Sequence, residues 1–184
     1  MQIRHTVVTL ALLLAACTGP DGERPVSGGT AAPSTAVACQ GDDDAFRQAM
    51  AAAVNAARSR APACGGKSME PVRGLEWSPA LGRAARAHAR DMAANDFLGH
   101  AGSDGRRVDR RASDAGYEWR AIGENVGAGA RNVAQAVDHW LGSPAHCRNM
   151  LNGDYGEFGA ACARAPDSRY GTYWALILGE PQPE

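Results

Sequence analysis

Four cysteines, Cys39, Cys64, Cys147 and Cys162, lie downstream of an export signal, and they constrain the fold more than any other feature. The signal is short. Arg4 supplies a positive start, and 7-VVTLALLLAA-16 supplies an apolar stretch too brief for the roughly 20 residues that span a bilayer. An even number of cysteines in an exported chain points to two disulfides. Four cysteines allow three pairings. Sequential pairing, Cys39 with Cys64 and Cys147 with Cys162, closes the shortest loops and is the expected one. The second loop, of about 15 residues, would contribute about 3 kcal/mol by restricting the unfolded chain. The alternatives are reduced thiols or a metal site, and no C-x-x-C spacing supports zinc–thiolate binding.

A fifth cysteine ends the apolar stretch. The run 14-LAAC-17 resembles the lipobox of bacterial lipoproteins, which implies cleavage before Cys17 and lipidation of its sulfur. The alternative is ordinary signal cleavage nearby with a spare cysteine. Several acyl chains anchor a protein stably where one is marginal. Residues 18–38, rich in Gly, Pro, Ser, Thr and Ala, read as a flexible tether. The organisation expected is a signal over 1–16, a lipidated Cys17 with its tether over 17–38, and one domain over 39–184. Such a chain is exported and held as a membrane-anchored lipoprotein on the periplasmic or extracellular side. Thr18, which is not an aspartate, favours the outer membrane where there are two. A formal net charge of −1 on 184 residues gives no electrostatic case for a nucleic-acid partner.

The domain alternates between helical and extended periodicities. Residues 45–60 read as a helix with Phe46, Met50, Val54 and Ala57 on one side, and the acidic run 42–44 favours its start. A second helix lies within 75–97, with Ser78 as N-cap and Pro79 as its first residue. Its stripe of Leu81, Ala84, Ala85, His88, Ala89 and Met92 places His88 as a buried, hydrogen-bonded histidine rather than a ligand. The arginine-rich run 106–116 reads as a solvated helix paired with Asp109 and Asp114, rather than a phosphate or headgroup patch. Residues 119–130 read as a strand running into a glycine-rich turn. Residues 132–143 read as a helix capped by Asn132, with His139 exposed, and 144–151 as a short helix after Pro144. The stretches 155–164 and 170–179 read as two strands.

No nucleophile elbow, no complete phosphate loop, no dinucleotide fingerprint and no H-E-x-x-H occurs. Three polar residues at element ends remain: His100 in 97-FLGH-100, Glu124 in 123-GENV-126 and His146 in 143-SPAH-146. Each has a structural explanation on its own, and only the fold could unite them. Two neutral imidazoles suit Zn²⁺, and a carboxylate can orient an imidazole N–H or coordinate directly. Ser143 lacks an orienting acid for a Ser–His nucleophile and reads as a helix cap.

In order along the chain, 75-LEWSPAL-81, 87-AHARDM-92, 97-FLGH-100, 104-DG-105, 116-GY-117, 123-GENV-126, 140-WLGSPAHCRNML-151, 158-FG-159 and 173-YW-174 resemble the CAP superfamily in its bacterial, SCP-like branch. This superfamily includes cysteine-rich secretory proteins, venom antigens and plant pathogenesis-related proteins. The resemblance runs from Phe46 to Gly179. It implies an α+β fold, a three-layer α-β-α sandwich with a small antiparallel sheet flanked by helices. It also implies a cleft with two histidines and acidic residues, matched by His100, His146 and Glu124. Many eukaryotic members carry a second glutamate shortly after the residue matching Trp140. Here that stretch is 141-LGS-143, and Glu157 is the substitute to consider. The activity expected is a binding module for a lipid, an envelope component or a protein, with a weak Zn²⁺ site and no catalytic residue. The alternative is a metal-assisted hydrolase with Glu124 as base.

Overall fold

The computed structural model describes Gln2, Ala38, Cys39 and residues 44–183. The expected lipidation at Cys17, the signal and most of the tether lie outside the described residues. From Ala38 onward the described residues belong to one compact unit.

Among the described residues nine elements follow one another: α1 (Asp44–Arg60), β1 (Glu76–Trp77), α2 (Pro79–Ala94), α3 (Val108–Asp114), β2 (Trp119–Ala128), α4 (Val133–Gly142), α5 (Pro144–Met150), β3 (Glu157–Ala165) and β4 (Gly171–Pro181). The strands form one sheet in the order β1-β3-β4-β2. β4 runs antiparallel to both β2 and β3. β1 adds a parallel edge of two residues, with Glu76 opposite Glu157 and Trp77 opposite Phe158. The sheet is therefore mixed, not purely antiparallel. Two residues are too few to show an alternation, so the sequence reading merged β1 with the approach to α2.

Strand geometry sorts the core into two layers, because successive side chains point to opposite faces. Phe158, Ala160, Cys162, Trp174 and Leu176 pack with Phe46 and Met50 of α1, Val133 and Trp140 of α4, and Met150 of α5. Ala161, Tyr173, Ala175 and Ile177 pack with Leu81, Ala85 and Met92 of α2 and Ala112 of α3. The α-β-α sandwich follows. β4 is central and covered on both faces, so Tyr173 to Leu178 are all fully buried. On one face α2 rides directly on the sheet. A Cβ added to Gly159 would lie 2.1 Å from the backbone nitrogen of Gly82, which explains the glycine in 158-FG-159.

The cap readings hold in part. The Asn132 side chain accepts from the Gln135 N–H, as a helix N-cap should. Ser78 and Ser143 occupy N-cap positions, yet neither hydroxyl makes a cap hydrogen bond. The C-terminal end of α1 is tied down by Arg58, which is fully buried. Its guanidinium donates to the carbonyls of Arg73, Met150, Asn152 and Tyr155. Burial first, then neighbouring Arg73, pulls its pKa down to about 10, so it stays protonated at neutral pH.

The disulfides correct the sequential pairing. Cys39 bonds Cys162 and Cys64 bonds Cys147, with Cα separations of 5.6 and 5.5 Å. Short loops are the easiest to close in an unfolded chain, but the native partner is whichever thiol the folded layers bring near. Cys162 faces the α1/α4 layer from β3. There an isolated bridge between Ala38 and Asn132 delivers Cys39 beside the start of α4. Cys147 instead meets the turn at 64–67, which closes through reciprocal hydrogen bonds between Cys64 and Lys67. That turn lies against α5, since a Cβ on Gly65 would fall 2.8 Å from the Pro144 side chain.

Candidate functional site

Among the described residues β2 pairs with β4 on one side only, and the site lies along its other edge. Glu124 points to the α2/α3 side of this strand, with Val126. Asn125 points to the α5 side. His100 comes from the loop after α2 and His146 from α5, in the opposite layer. The two imidazoles meet across the edge strand with ring centroids 6.5 Å apart. The fold thus brings together the three residues singled out in the sequence.

Glu124 is 8% exposed, and both its carboxylate oxygens are engaged. Oε1 accepts from the Nδ1–H of His100 at 2.9 Å. Oε2 accepts from the Arg111 guanidinium at 2.6 Å. The same Arg111 nitrogen donates to the His100 carbonyl at 3.1 Å, so one side chain holds both the carboxylate and the loop carrying the imidazole. With its Nδ1–H donated to Glu124, His100 carries its lone pair on Nε2. Its side chain is 44% exposed, so the ring is reachable from solvent. Burial and the neighbouring His100 push the pKa of His146 below the ordinary histidine value.

The backbone presenting His146 is held by a short polar chain. Asn125, fully buried, donates to the His146 carbonyl at 3.0 Å, and Asn149 donates to the Asn125 side chain at 2.9 Å. The Tyr155 hydroxyl then donates to Asn149 at 3.2 Å. Every residue of 123-GENV-126 now has a role. A Cβ on Gly123 would lie 2.6 Å from the Asn149 side-chain oxygen, so glycine makes room for the chain. Glu124 orients His100 and Asn125 holds α5. The Val126 carbonyl accepts from the indole N–H of buried Trp140 at 3.0 Å.

His88 is buried, as its stripe predicts, and its Nε2–H donates to the Gly99 carbonyl at 2.8 Å. It also stands 3.9 Å from Glu124, so it belongs to the wall of the site. Arg111 is the residue that the sequence reading missed. Asp114 pairs with Arg106 and Arg110 on the outside of α3, as expected, but Arg111 turns inward with a side chain only 9% exposed. An arginine run carries no sign of which member turns inward. Glu157 does not join the histidines. It lies on β3, two strands from β2, opposite Glu76 and Gly179, and lines a separate cavity with Arg73 and Glu180.

A pH dependence follows from His88. Burial lowers its pKa from the ordinary histidine value, and Glu124 and Asp91 only partly oppose that against Arg111. Below about pH 6.5 the unfolded histidine takes up a proton that the folded one refuses, so the unfolded chain binds more protons and stability falls. His146, shifted the same way, adds to the slope. Melting curves between about pH 7.5 and about pH 5.5 should show a falling midpoint, shallower in His88→Gln. An unchanged slope in that variant would contradict the assignment.

The family model described as "CAP: Cysteine-rich secretory protein family" matches residues 51–178. Among curated proteins, the membrane protein YlbC of Bacillus subtilis (strain 168) is 28% identical over 90 residues, covering 49% of this chain and 26% of that protein. YkwD of the same organism is 26% identical over 94 residues, covering 50% of this chain and 36% of the relative. The chain thus aligns with about a quarter to a third of the length of these relatives. Among solved structures, an outer surface protein of Borrelia burgdorferi superposes with a TM-score of 0.64 at 16% identity, covering 78% of this chain and 99% of that one. An extracellular protein containing an SCP domain from Bacillus anthracis str. Ames gives 0.59 at 20% identity, covering 74% of this chain and 43% of that one. These structures share the sandwich fold, and with the family match over most of the described residues the chain belongs to the CAP, or cysteine-rich secretory protein, family.

Proposed function

We propose that this chain is an extracytoplasmic binding module, tethered to a membrane through lipid on Cys17, whose cleft presents His100 and His146 to a ligand. The observation that carries this reading is the double engagement of Glu124. A metal-assisted hydrolase needs a carboxylate free to take a proton from water. Here one oxygen is committed to His100 and the other to Arg111, inside the protein. That arrangement suits a positioning group rather than a base.

The donor set fits a weak divalent cation. Nε2 of His100 and the imidazole of His146 would hold Zn²⁺, with Glu124 fixing the His100 tautomer from behind. Two rings on one zinc have centroids about 5–6 Å apart, from bond lengths of about 2.1 Å. The 6.5 Å separation here is slightly wide. Among the described residues no group of three or more His, Cys, Asp or Glu side chains is arranged to hold a metal ion. Both facts count against a tight site; a cation held here would have two histidine nitrogens, with water completing its shell. Bound zinc would supply a Lewis-acid anchor for an oxygen of the ligand. The ligand class would be a lipid, an envelope component or a protein. Among the described residues no helix is long and apolar enough to cross a membrane.

Calorimetric titration of Zn²⁺ into the full chain tests this reading. One saturable site, lost in His100→Ala/His146→Ala, is the expected result. Equal binding in both proteins would remove the metal from the cleft. Ester or peptide hydrolysis that disappears in Glu124→Gln, with zinc still bound, would replace the binding module with the hydrolase.

A further inference from the structure

Among the described residues, Ala61 and Asp96 are the only non-glycine residues with a left-handed φ, at 46° and 48°. Asp96 follows Asn95, the C-cap of α2, and opens the segment that carries His100. The Phe97 N–H reaches back to the Met92 carbonyl at 3.2 Å. That bond closes a helix end whose left-handed position is usually held by glycine, because a Cβ there is strained. Aspartate tolerates such a backbone but is no better at it than glycine. The turn alone therefore does not account for the carboxylate.

The carboxylate serves as an acceptor. Its Oδ1 accepts from the Arg169 N–H at 3.0 Å and from the Tyr173 hydroxyl. These bonds, that of Tyr173 first, hold the carboxyl below the ordinary aspartate pKa, so it is charged at neutral pH. Both donors are fixed in place. Tyr173 is fully buried on β4, in the layer packed against α2. Arg169 lies in the turn between β3 and β4, which is fastened on itself. There the Ser168 hydroxyl donates to the Ala165 carbonyl at 2.6 Å and accepts from the Gly171 N–H at 3.2 Å. One carboxylate thus joins the exit of α2 to the central strand of the sheet.

The chain leaving this junction is 97-FLGH-100. Exposure alternates along it, with Phe97 and Gly99 half-buried and Leu98 and His100 exposed. Phe97 packs on the α2 layer and meets the His88 ring edge-on, with centroids 6.3 Å apart. The Gly99 carbonyl accepts from His88, and the His100 carbonyl accepts from Arg111. Each of those bonds holds one carbonyl, about which a peptide can still turn. At Asp96, direction and attachment are set together, by a left-handed turn whose side chain is held twice.

We propose that Asp96 is a positioning residue for His100: its bonds to Tyr173 and Arg169 aim the 97–100 segment so that the imidazole meets Glu124 and faces His146. The inference rests on the reading of His100 and His146 as the ligand-holding pair. Asp96 acts through the backbone between it and His100. The loss expected on removing it is about tenfold in zinc affinity, the low end for groups that orient a metal-holding histidine.

The test compares the full chain with two variants, well below their melting temperatures, where a lower stability alone leaves binding unchanged. Asp96→Gly keeps the turn, since glycine adopts a left-handed φ freely, and removes the acceptor. Asp96→Asn keeps both, because its amide oxygen accepts from the same donors and asparagine tolerates the turn. Calorimetric titration of Zn²⁺ should show affinity about tenfold weaker in Asp96→Gly and restored to within about threefold in Asp96→Asn. By NMR, the His100 Nδ1–H that is bonded to Glu124 should exchange faster with solvent in Asp96→Gly and not in Asp96→Asn. Unchanged zinc affinity in Asp96→Gly, or unchanged exchange of that proton, would overturn the proposal and leave Asp96 a purely structural residue. An equal loss in Asp96→Asn would also overturn it, because acceptor and turn both survive there. If the unaltered chain binds no zinc, the metal reading fails by itself, and the Nδ1–H still decides the role of Asp96.

Discussion

Reduction of both disulfides is expected to remove about 8–9 kcal/mol of stability, enough to unfold a domain whose total is about 5–15 kcal/mol. The magnitude follows from loop length. Cys39–Cys162 spans 123 residues and Cys64–Cys147 spans 83, loops worth about 5 and about 4.5 kcal/mol respectively in the chain-entropy picture. The second is nested inside the first. Once Cys39 and Cys162 are joined, the remaining path between Cys64 and Cys147 is shorter, so the contributions fall short of their sum. Cys64→Ser/Cys147→Ser alone should therefore lose about 4 kcal/mol, or about 12–16 °C in melting temperature. It should also weaken zinc binding, because Cys147 adjoins His146 and the disulfide presses α5 against the turn at 64–67. Peptide mapping without reductant provides the direct check. Peptides joining Cys39 to Cys64 would refute the nested pairing.

Substitution of Arg111 by methionine is the other large effect expected, about 3–5 kcal/mol. Methionine retains much of the buried volume, so the loss is electrostatic. Glu124, with a side chain 1% exposed, would keep its charge inside the protein without the cation that matches it. Hydrogen bonds to the His100 carbonyl and the Arg106 carbonyl would go as well. Chemical denaturation should show the lost stability. Zinc affinity should fall about 10–100-fold, the range seen when a group behind a metal-ligating histidine is removed. Arg111→Lys should recover part of the charge effect and little of the geometry, because one ammonium cannot reach the carboxylate and two carbonyls in the same plane. A stable Arg111→Met protein with unchanged zinc affinity would show that Glu124 does not need this partner.

That His100, Glu124 and His146 converge was legible only through the resemblance to the CAP superfamily, because spacing alone left each with a structural explanation. His100 and His146 sit in glycine- or proline-marked motifs near the ends of elements, whereas Glu124 lies mid-strand on β2 with its side chain buried. The helical stripes of α1, α2 and α4 and the extended runs of β3 and β4 were readable without it, because periodicity is set by residues within a few positions of each other. Reading failed where the answer lay across the fold. Two-residue β1 exists only because β3 is there to pair with it. Ser78 and Ser143 have the residue type and position of caps, but their hydroxyls do not bond the helix ends.

The division between the two kinds of information is sharpest at the cysteines and the arginines. By itself the sequence determined the number of thiols, the helix on which Arg111 lies, and the strand that carries Glu124 and Asn125 on opposite faces. Tertiary structure alone decided that Cys39 meets Cys162 and that Arg111, rather than Arg106 or Arg110, turns inward. It also decided that His88 stands beside Glu124 and that Glu157 stands away from the histidines. Residue type and spacing fix which groups a segment offers and on which side. Which partner each group finds depends on how layers separated by up to 123 residues come to rest against one another, and burial makes that choice by leaving a cysteine or a charge one neighbour within reach.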